Sequence, residues 1–354
     1  MTNDSTNILV TVKSLEELAH HAELLPDARF ALDVRHRGLG PDDASAISEH
    51  MARVHSLDIS ENDLGDEGVV ALVSSEAAGQ LTTLNLGHTQ MSAKGVIGLA
   101  DAAHLSNLTA LSLAGNFIGT KGAAAIARSE HLSHLTSLNL YECGVQTKGV
   151  ELIAGAMAHL TTLNLENNAA EAAGAEAIAR SPNMSRLTRL DFGYNSIGLE
   201  GVRVLARSPH LTGLTSLSID YTSLREEGAR ILSESLTNLT ELSLWHCSIG
   251  EVGVRTLVQS PNMSRLTRLK LDYNAMGDEG ARALAASPYM SNLTSLKLEC
   301  CGIGVEGAKA IARSPHLSQL SELVLRSNSI KEEGARALAE SPYLCEAIRT
   351  NWVS

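Results

Sequence analysis

Leucines recur in this chain with the spacing Leu-x-x-Leu-x-Leu, and the blocks return at a nearly constant interval. They open at Val54, Leu81, Leu108, Leu135, Leu160, Leu187, Leu214, Leu239, Leu266, Leu293 and Leu320. Eight of the ten intervals are 27 residues, and the units opening at Leu135 and Leu214 have 25. A weaker copy, "ARFALDVRHRGLGPDDASAI", comes first, with Leu32 and Val34 placed 25 residues before Leu57 and Ile59. Self-similarity at a fixed period reads as stacked supersecondary units. It gives about twelve units continuing to about Leu344.

One unit, "LTRLKLDYNAMGDEGARALAASPYMSN" from Leu266 to Asn292, shows the expected elements. Its alternation of apolar and polar residues predicts a strand with one buried face. Asn274 follows in a turn. "GDEGARALAAS" predicts a helix, with Asp278 and Glu279 near its start, where the helix dipole favours acids. Ser287-Pro288 ends it, because proline restricts the residue before it and supplies no N–H. The small pair Gly280-Ala281, repeated as Gly-Ala or Gly-Val in almost every unit, lets helices approach closely. One strand and one helix cannot bury their apolar faces alone, but stacked copies can. The expectation is an α/β solenoid, a curved horseshoe arc with a parallel sheet on its concave face and helices on its convex face.

The units "NSIGLEGVRVLARS", "NAMGDEGARALAAS" and "CGIGVEGAKAIARS" resemble leucine-rich repeats of the ribonuclease-inhibitor type. "GARALA" at Gly280 and Gly334 is also similar to the GALA-type repeats of some bacterial proteins, whose members acting in host cells pair the repeats with an N-terminal F-box. Residues 1–28 are read instead as a capping segment with one short helix and a capping box, Ser14-Leu15-Glu16-Glu17. The repeat domain is assigned to 29–344. Residues 345–354, "CEAIRTNWVS", are read as a degenerate final strand or cap, with Trp352 covering apolar surface.

Numbering each unit from its opening residue, positions one, four and six face the core. Positions three, five, seven and eight face the concave solvent, and position nine turns inward. Position nine reads Asn62, Thr89, Asn116, Cys143, Asn168, Asn195, Thr222, Cys247, Asn274, Cys301 and Asn328. Asn alternating with Cys or Thr is a mark of the ribonuclease-inhibitor type. Cys143, Cys247 and Cys301 are therefore expected as buried structural thiols. His246 and Cys247 cannot act as a pair, since adjacent strand residues point to opposite sides.

Aromatic residues are only 3% of the chain, yet Tyr141, Tyr194, Tyr221, Trp245 and Tyr273 all fall at positions seven or eight. Tyr194, Tyr221, Trp245, His246 and Tyr273 should form one continuous patch, because neighbouring strands lie about 4.8 Å apart. Beside it run Glu142, Glu166, Asp191, Asp220, Glu241, Asp272 and Glu299, interrupted by Arg189, Arg268, Lys270 and Lys297. Tyr, Trp and Arg dominate the energetic centres of protein interfaces. The partner-binding residues expected on this wall are thus Tyr141, Glu166, Tyr194, Asp220, Tyr221, Trp245, His246, Asp272, Tyr273 and Glu299.

The formal charge of −12 argues against nucleic acid and anionic membranes and in favour of basic partners. Five cysteines in 354 residues fit a reducing compartment rather than a disulfide framework. The first residues carry no cationic lead before an apolar stretch, so a signal peptide is not expected. The chain contains no Cys-x-x-Cys, His-Glu-x-x-His, phosphate loop or dinucleotide fingerprint. These features predict a monomeric, non-catalytic scaffold without cofactor or metal, which binds a protein or peptide with basic groups. It is expected in the cytoplasm, or in a host cell reached without a signal peptide. The resemblance also implies an alternative: a regulator or inhibitor of a nuclease or small GTPase, or a bacterial effector acting on host proteins.

Overall fold

A computed structural model describes residues 9–25 and 27–352. Among them are thirteen short strands and fourteen α-helices, which divide into two compact units. The first comprises the described residues up to Ala169 together with Pro182–Arg186; the second comprises Ala170–Ser181 and the residues from Leu187 onward.

The first unit holds β1 (Leu9–Val12), β2 (Arg29–Asp33), β3 (Val54–Asp58), β4 (Thr83–Asn85), β5 (Ala110–Ser112), β6 (Ser137–Asn139) and β7 (Thr162–Asn164). Each pairs in parallel with the next, with one register shift between Phe30 and Ala31. β1 lies within the stretch read as a lone capping helix, so the sheet begins before that helix. In the helix Leu15–Leu24, Ser14 Oγ accepts from Glu17 N–H at 3.1 Å, as a capping box requires. The Glu17 carboxylate, however, accepts from Lys13 N–H rather than from Ser14. Arg53 fastens this end, its guanidinium donating to the carbonyls of Ala22, Leu25 and Ala28.

The second unit holds β8 (Arg189–Asp191), β9 (Ser216–Ser218), β10 (Glu241–Ser243), β11 (Arg268–Lys270), β12 (Ser295–Lys297) and β13 (Glu322–Val324), again parallel and in chain order. The three-residue strands share one register: Leu217, Leu242, Leu269, Leu296 and Leu323 stand side by side. All five are buried, as are the leucines and isoleucines two residues further on. Helices cover this apolar face. Gly307 shows why the helices begin with small residues: a Cβ there would meet Asp278 Oδ1 at 2.6 Å and the Ala281 Cβ of the preceding helix at 3.0 Å.

Hydroxyls that the leucine pattern passes over tie consecutive copies together. The Oγ1 groups of Thr240, Thr267 and Thr294 each donate to the carbonyl of the threonine one copy earlier, at 3.1 Å. Ser287 and Ser314, before the prolines that end the helices, donate to Val258 and Ala285 carbonyls at the ends of the preceding helices. In the two 25-residue copies the helices, Gln146–Ala156 and Arg225–Ser235, reach eleven residues.

After β13 the chain turns helical, with Glu346–Arg349 and a 3-10 turn at Thr350–Trp352, so the strand reading of this segment does not hold. Trp352 lines a cavity with Ile330 and Ile348. No helix among the described residues is long and apolar enough to cross a membrane.

Candidate functional site

In every copy, the residue at position eight adopts a left-handed backbone. In the second unit these residues are Tyr194, Tyr221, His246 and Tyr273, with φ of 56°, 59°, 53° and 61°. In the first unit the same position includes Gly115 and Asn167, which tolerate that conformation better. The position is held by backbone bonds to the following copy: Tyr221 N–H donates to the Trp245 carbonyl at 2.7 Å, His246 N–H to Asp272 at 2.9 Å and Tyr273 N–H to Glu299 at 2.8 Å. The four residues lie in the turns that follow the strands, one per copy.

The rings meet. Tyr194 and Tyr221 stack with centroids 4.7 Å apart and planes 6° from parallel; Tyr221 and His246 stack at 4.8 Å and 14°. These spacings match the separation of parallel strands. Trp245, at position seven, leans on Tyr194 at 5.7 Å and Tyr221 at 5.9 Å, and meets Tyr273 edge to face at 5.4 Å. Lys270 Nζ stands 5.6 Å from the indole centroid, within cation–π reach. Tyr221 and Tyr273 are exposed, as is His246. Trp245 is half-buried by its neighbouring rings, not by leucines. Five expected residues therefore form one patch: Tyr194, Tyr221, Trp245, His246 and Tyr273. The Cys300 thiol, hydrogen-bonded to the Tyr273 phenol, and nearby Glu299 push that phenol's pKa up.

The acids behave differently from the expectation. Asp220 and Asp272 are buried. Asp220 Oδ1 accepts from Trp245 N–H at 2.8 Å and Ser243 Oγ at 2.6 Å, and its Oδ2 pairs with Lys270 Nζ at 3.2 Å. Asp272 Oδ1 accepts from Glu299 N–H at 2.6 Å, and burial raises its pKa. The physical reason lies at position five of the following copy. In other copies an Asn at position five caps the position-seven N–H of its own turn, as Asn139 does for Tyr141 and Asn164 for Glu166. Ser243 and Lys297 replace that Asn, and the aspartate of the preceding copy fills the role. Asp220 and Asp272 are thus structural acids beneath the patch, not free acids facing a partner. Glu299 is half-exposed beside Tyr273.

Tyr141 and Glu166 belong to the first unit. Burial, then Glu142 and Glu166, raise the Tyr141 pKa.

Position nine faces inward. Asn274 Oδ1 accepts from Cys247 N–H and Ile249 N–H at 3.1 and 3.2 Å, while its Nδ2 donates to Leu244 and Leu271 carbonyls. Where a cysteine stands there, the thiol makes the backward bond: Cys247 Sγ lies 3.4 Å from Ile219 O and Cys301 Sγ 3.2 Å from Leu271 O. Burial pushes the Cys143 and Cys247 thiols up to about 12 and Cys301 up to about 11. All five cysteines are free, and Cys300 and Cys345 are half-exposed. Among the described residues, no group of three or more His, Cys, Asp or Glu side chains could hold a metal ion.

Beside the rings, at positions three and five, lies a shallow cavity of about 270 Å³ lined by Arg189, Glu241, Arg268, Lys270, Lys297 and Glu322, among others. The sequence pattern marks these charges only as interruptions, because ion pairing spans residues 25 to 52 positions apart, from Lys297–Glu322 to Arg189–Glu241.

The Leucine Rich repeat family matches residues 53–73, 81–100, 104–127, 131–154, 156–179, 184–206, 235–258, 263–285, 289–312 and 316–339. None of the curated protein sequences matches the chain. Among solved structures, the yeast Rad7 and Elc1 complex gives a TM-score of 0.61 at 16% identity, covering 94% of this chain and 82% of that one. The internalin inlF of Listeria monocytogenes gives 0.52 at 19% identity, covering 94% and 88%. Likeness at these identities extends to the fold. Since the ten matched segments span more than half of the sequence, the chain belongs to the leucine-rich repeat family.

Proposed function

We propose that this chain is a non-catalytic scaffold that binds a folded protein or a peptide through the ring patch of its second unit. The observation that carries the reading is the unbroken contact of five rings across four successive copies, four of them on left-handed backbone where smaller residues would be less strained. Exposed aromatic clusters bordered by charge mark interaction sites. The likeness to a structure described as a complex, that of Rad7 and Elc1, agrees with a role in protein binding. The thiol beside His246 is not an activated nucleophile: Cys247 is buried, and burial pushes it up to about 12. The alternation of Asn with Cys or Thr at position nine supports placing the repeats in the ribonuclease-inhibitor type, and the free thiols agree with a reducing compartment.

The test compares proteins captured from a lysate by the native chain and by a Tyr221→Asn, Trp245→Ala variant of unchanged melting temperature. Partners should drop out of the variant's catch. An identical catch would sink the assignment.

A further inference from the structure

On the open sheet face of the second unit, two carboxylates, Glu241 and Asp220, are less exposed than the cations they pair with. Arg189 Nη2 donates to Glu241 Oε2 at 2.7 Å, and Arg268 Nε lies 3.9 Å from Glu241 Oε1. Glu241 is 27% exposed, against 43% for Arg189 and 68% for Arg268. Beneath the rings, Asp220 is 9% exposed and Lys270 39%. Asp220 has already spent its oxygens on Ser243, Trp245 N–H and Lys270. In the neighbouring copy Lys297 lies 3.2 Å from Glu322, and there the order reverses, with Glu322 48% exposed and Lys297 40%.

A guanidinium carries five N–H donors and an ammonium three. One bond to a carboxylate leaves the other donors of a partly exposed cation unspent on it. Over Glu241 and Asp220 an arriving anion therefore meets charged donors, while an arriving cation meets carboxylates that are covered or engaged; Glu299 and Glu322 lie more open at the far end of the row. Lys270 joins the two parts of the surface, since it contacts both the Trp245 ring and the cavity.

We propose that the partner segment is acidic, with an apolar or aromatic side chain against Trp245 and Tyr273 followed by Asp or Glu carboxylates over Arg268 and Lys270. This rests on the ring patch being the binding face, and it reverses the preference that the net charge of −12 suggests. The long-range field is screened within about 8 Å at physiological salt, so the donors within contact distance decide selection at the surface. That same field opposes a polyanion such as nucleic acid, whereas one or two carboxylates fit a cavity of this size.

Random linear peptides displayed on phage, selected on the full chain, test the idea. The expected peptides carry Asp or Glu beside an aromatic or apolar residue. A synthetic copy should bind about ten-fold more weakly to the Arg268→Ala chain and to the Trp245→Ala chain, and more weakly still as salt rises. Arg268→Ala should leave the melting temperature unchanged, because its guanidinium is largely solvated. Basic peptides that need Trp245 would overturn the acidic preference while leaving the ring face standing. Acidic peptides indifferent to Arg268→Ala and Lys270→Met would overturn it too, as would an empty selection. Peptides indifferent to both Trp245→Ala and Tyr221→Asn would remove the binding face itself.

Discussion

A tyrosine held at φ near +60° costs about 1 kcal/mol relative to an ordinary backbone conformation. Tyr194, Tyr221, His246 and Tyr273 all sit in that region. Stacking returns about 0.5–1.5 kcal/mol for each ring pair. The two effects nearly balance, so Tyr221→Asn should change stability by no more than about 1 kcal/mol while shifting the emission of Trp245, which loses a ring neighbour at 5.9 Å. Denaturant unfolding followed by fluorescence measures both. A loss of several kcal/mol would mean that the rings serve the fold. The thiols make a second residue-scale prediction. In the native chain a thiol reagent should label Cys300 and Cys345, while Cys143, Cys247 and Cys301 react only after unfolding, because burial keeps them protonated.

At the scale of the element, each turn is held by the copies on either side of it. Asn274 serves two N–H groups of the preceding copy and donates back to its carbonyl. Asn274→Ala should lower stability by about 2–4 kcal/mol, since it leaves buried N–H groups without acceptors. Asp220→Ala should lower it by about 1–3 kcal/mol, and it also frees Lys270 and releases the Trp245 turn. Chemical denaturation measures both losses. Equal stability of Asp220→Ala and the native chain would return that carboxylate to the role of a free partner contact.

For the whole molecule, the titrating groups set a pH range. Cys143, Cys247 and Cys301 have folded pKa values of about 12, 12 and 11, above the ordinary value of 9.0. Raised values mean that the folded state holds these protons more tightly. The stability they contribute is complete below pH 9 and is lost as pH climbs towards 12. Tyr141 and Tyr273, also raised, act in the same direction. The melting temperature should fall steadily above pH 9, and less so when the three cysteines are replaced by alanine. On the acid side the lowered carboxyls, Asp66, Glu241 and Glu322 among them, contribute stability above their unfolded pKa that is lost as pH falls, while the raised Asp191 and Asp272 oppose the trend.

The sequence by itself determined the repeat, the parallel strands, the leucine core, the helix stops and the inward row of Asn, Thr and Cys. Each of these follows from a pattern inside a single copy, where position along the strand dictates which face a side chain occupies. It also placed the five rings on one surface, for the same reason. Only the tertiary structure decided that Asp220 and Asp272 are capping groups, that Trp245 rests among rings above Lys270, and that the carboxylates of Glu241 and Asp220 are less exposed than the cations they pair with. Those outcomes depend on what the adjacent copy offers some 25 residues away: a missing Asn at position five, an unfilled N–H, a guanidinium within reach. Side-chain pairing between copies is settled by three-dimensional proximity, which the periodicity of one copy does not encode.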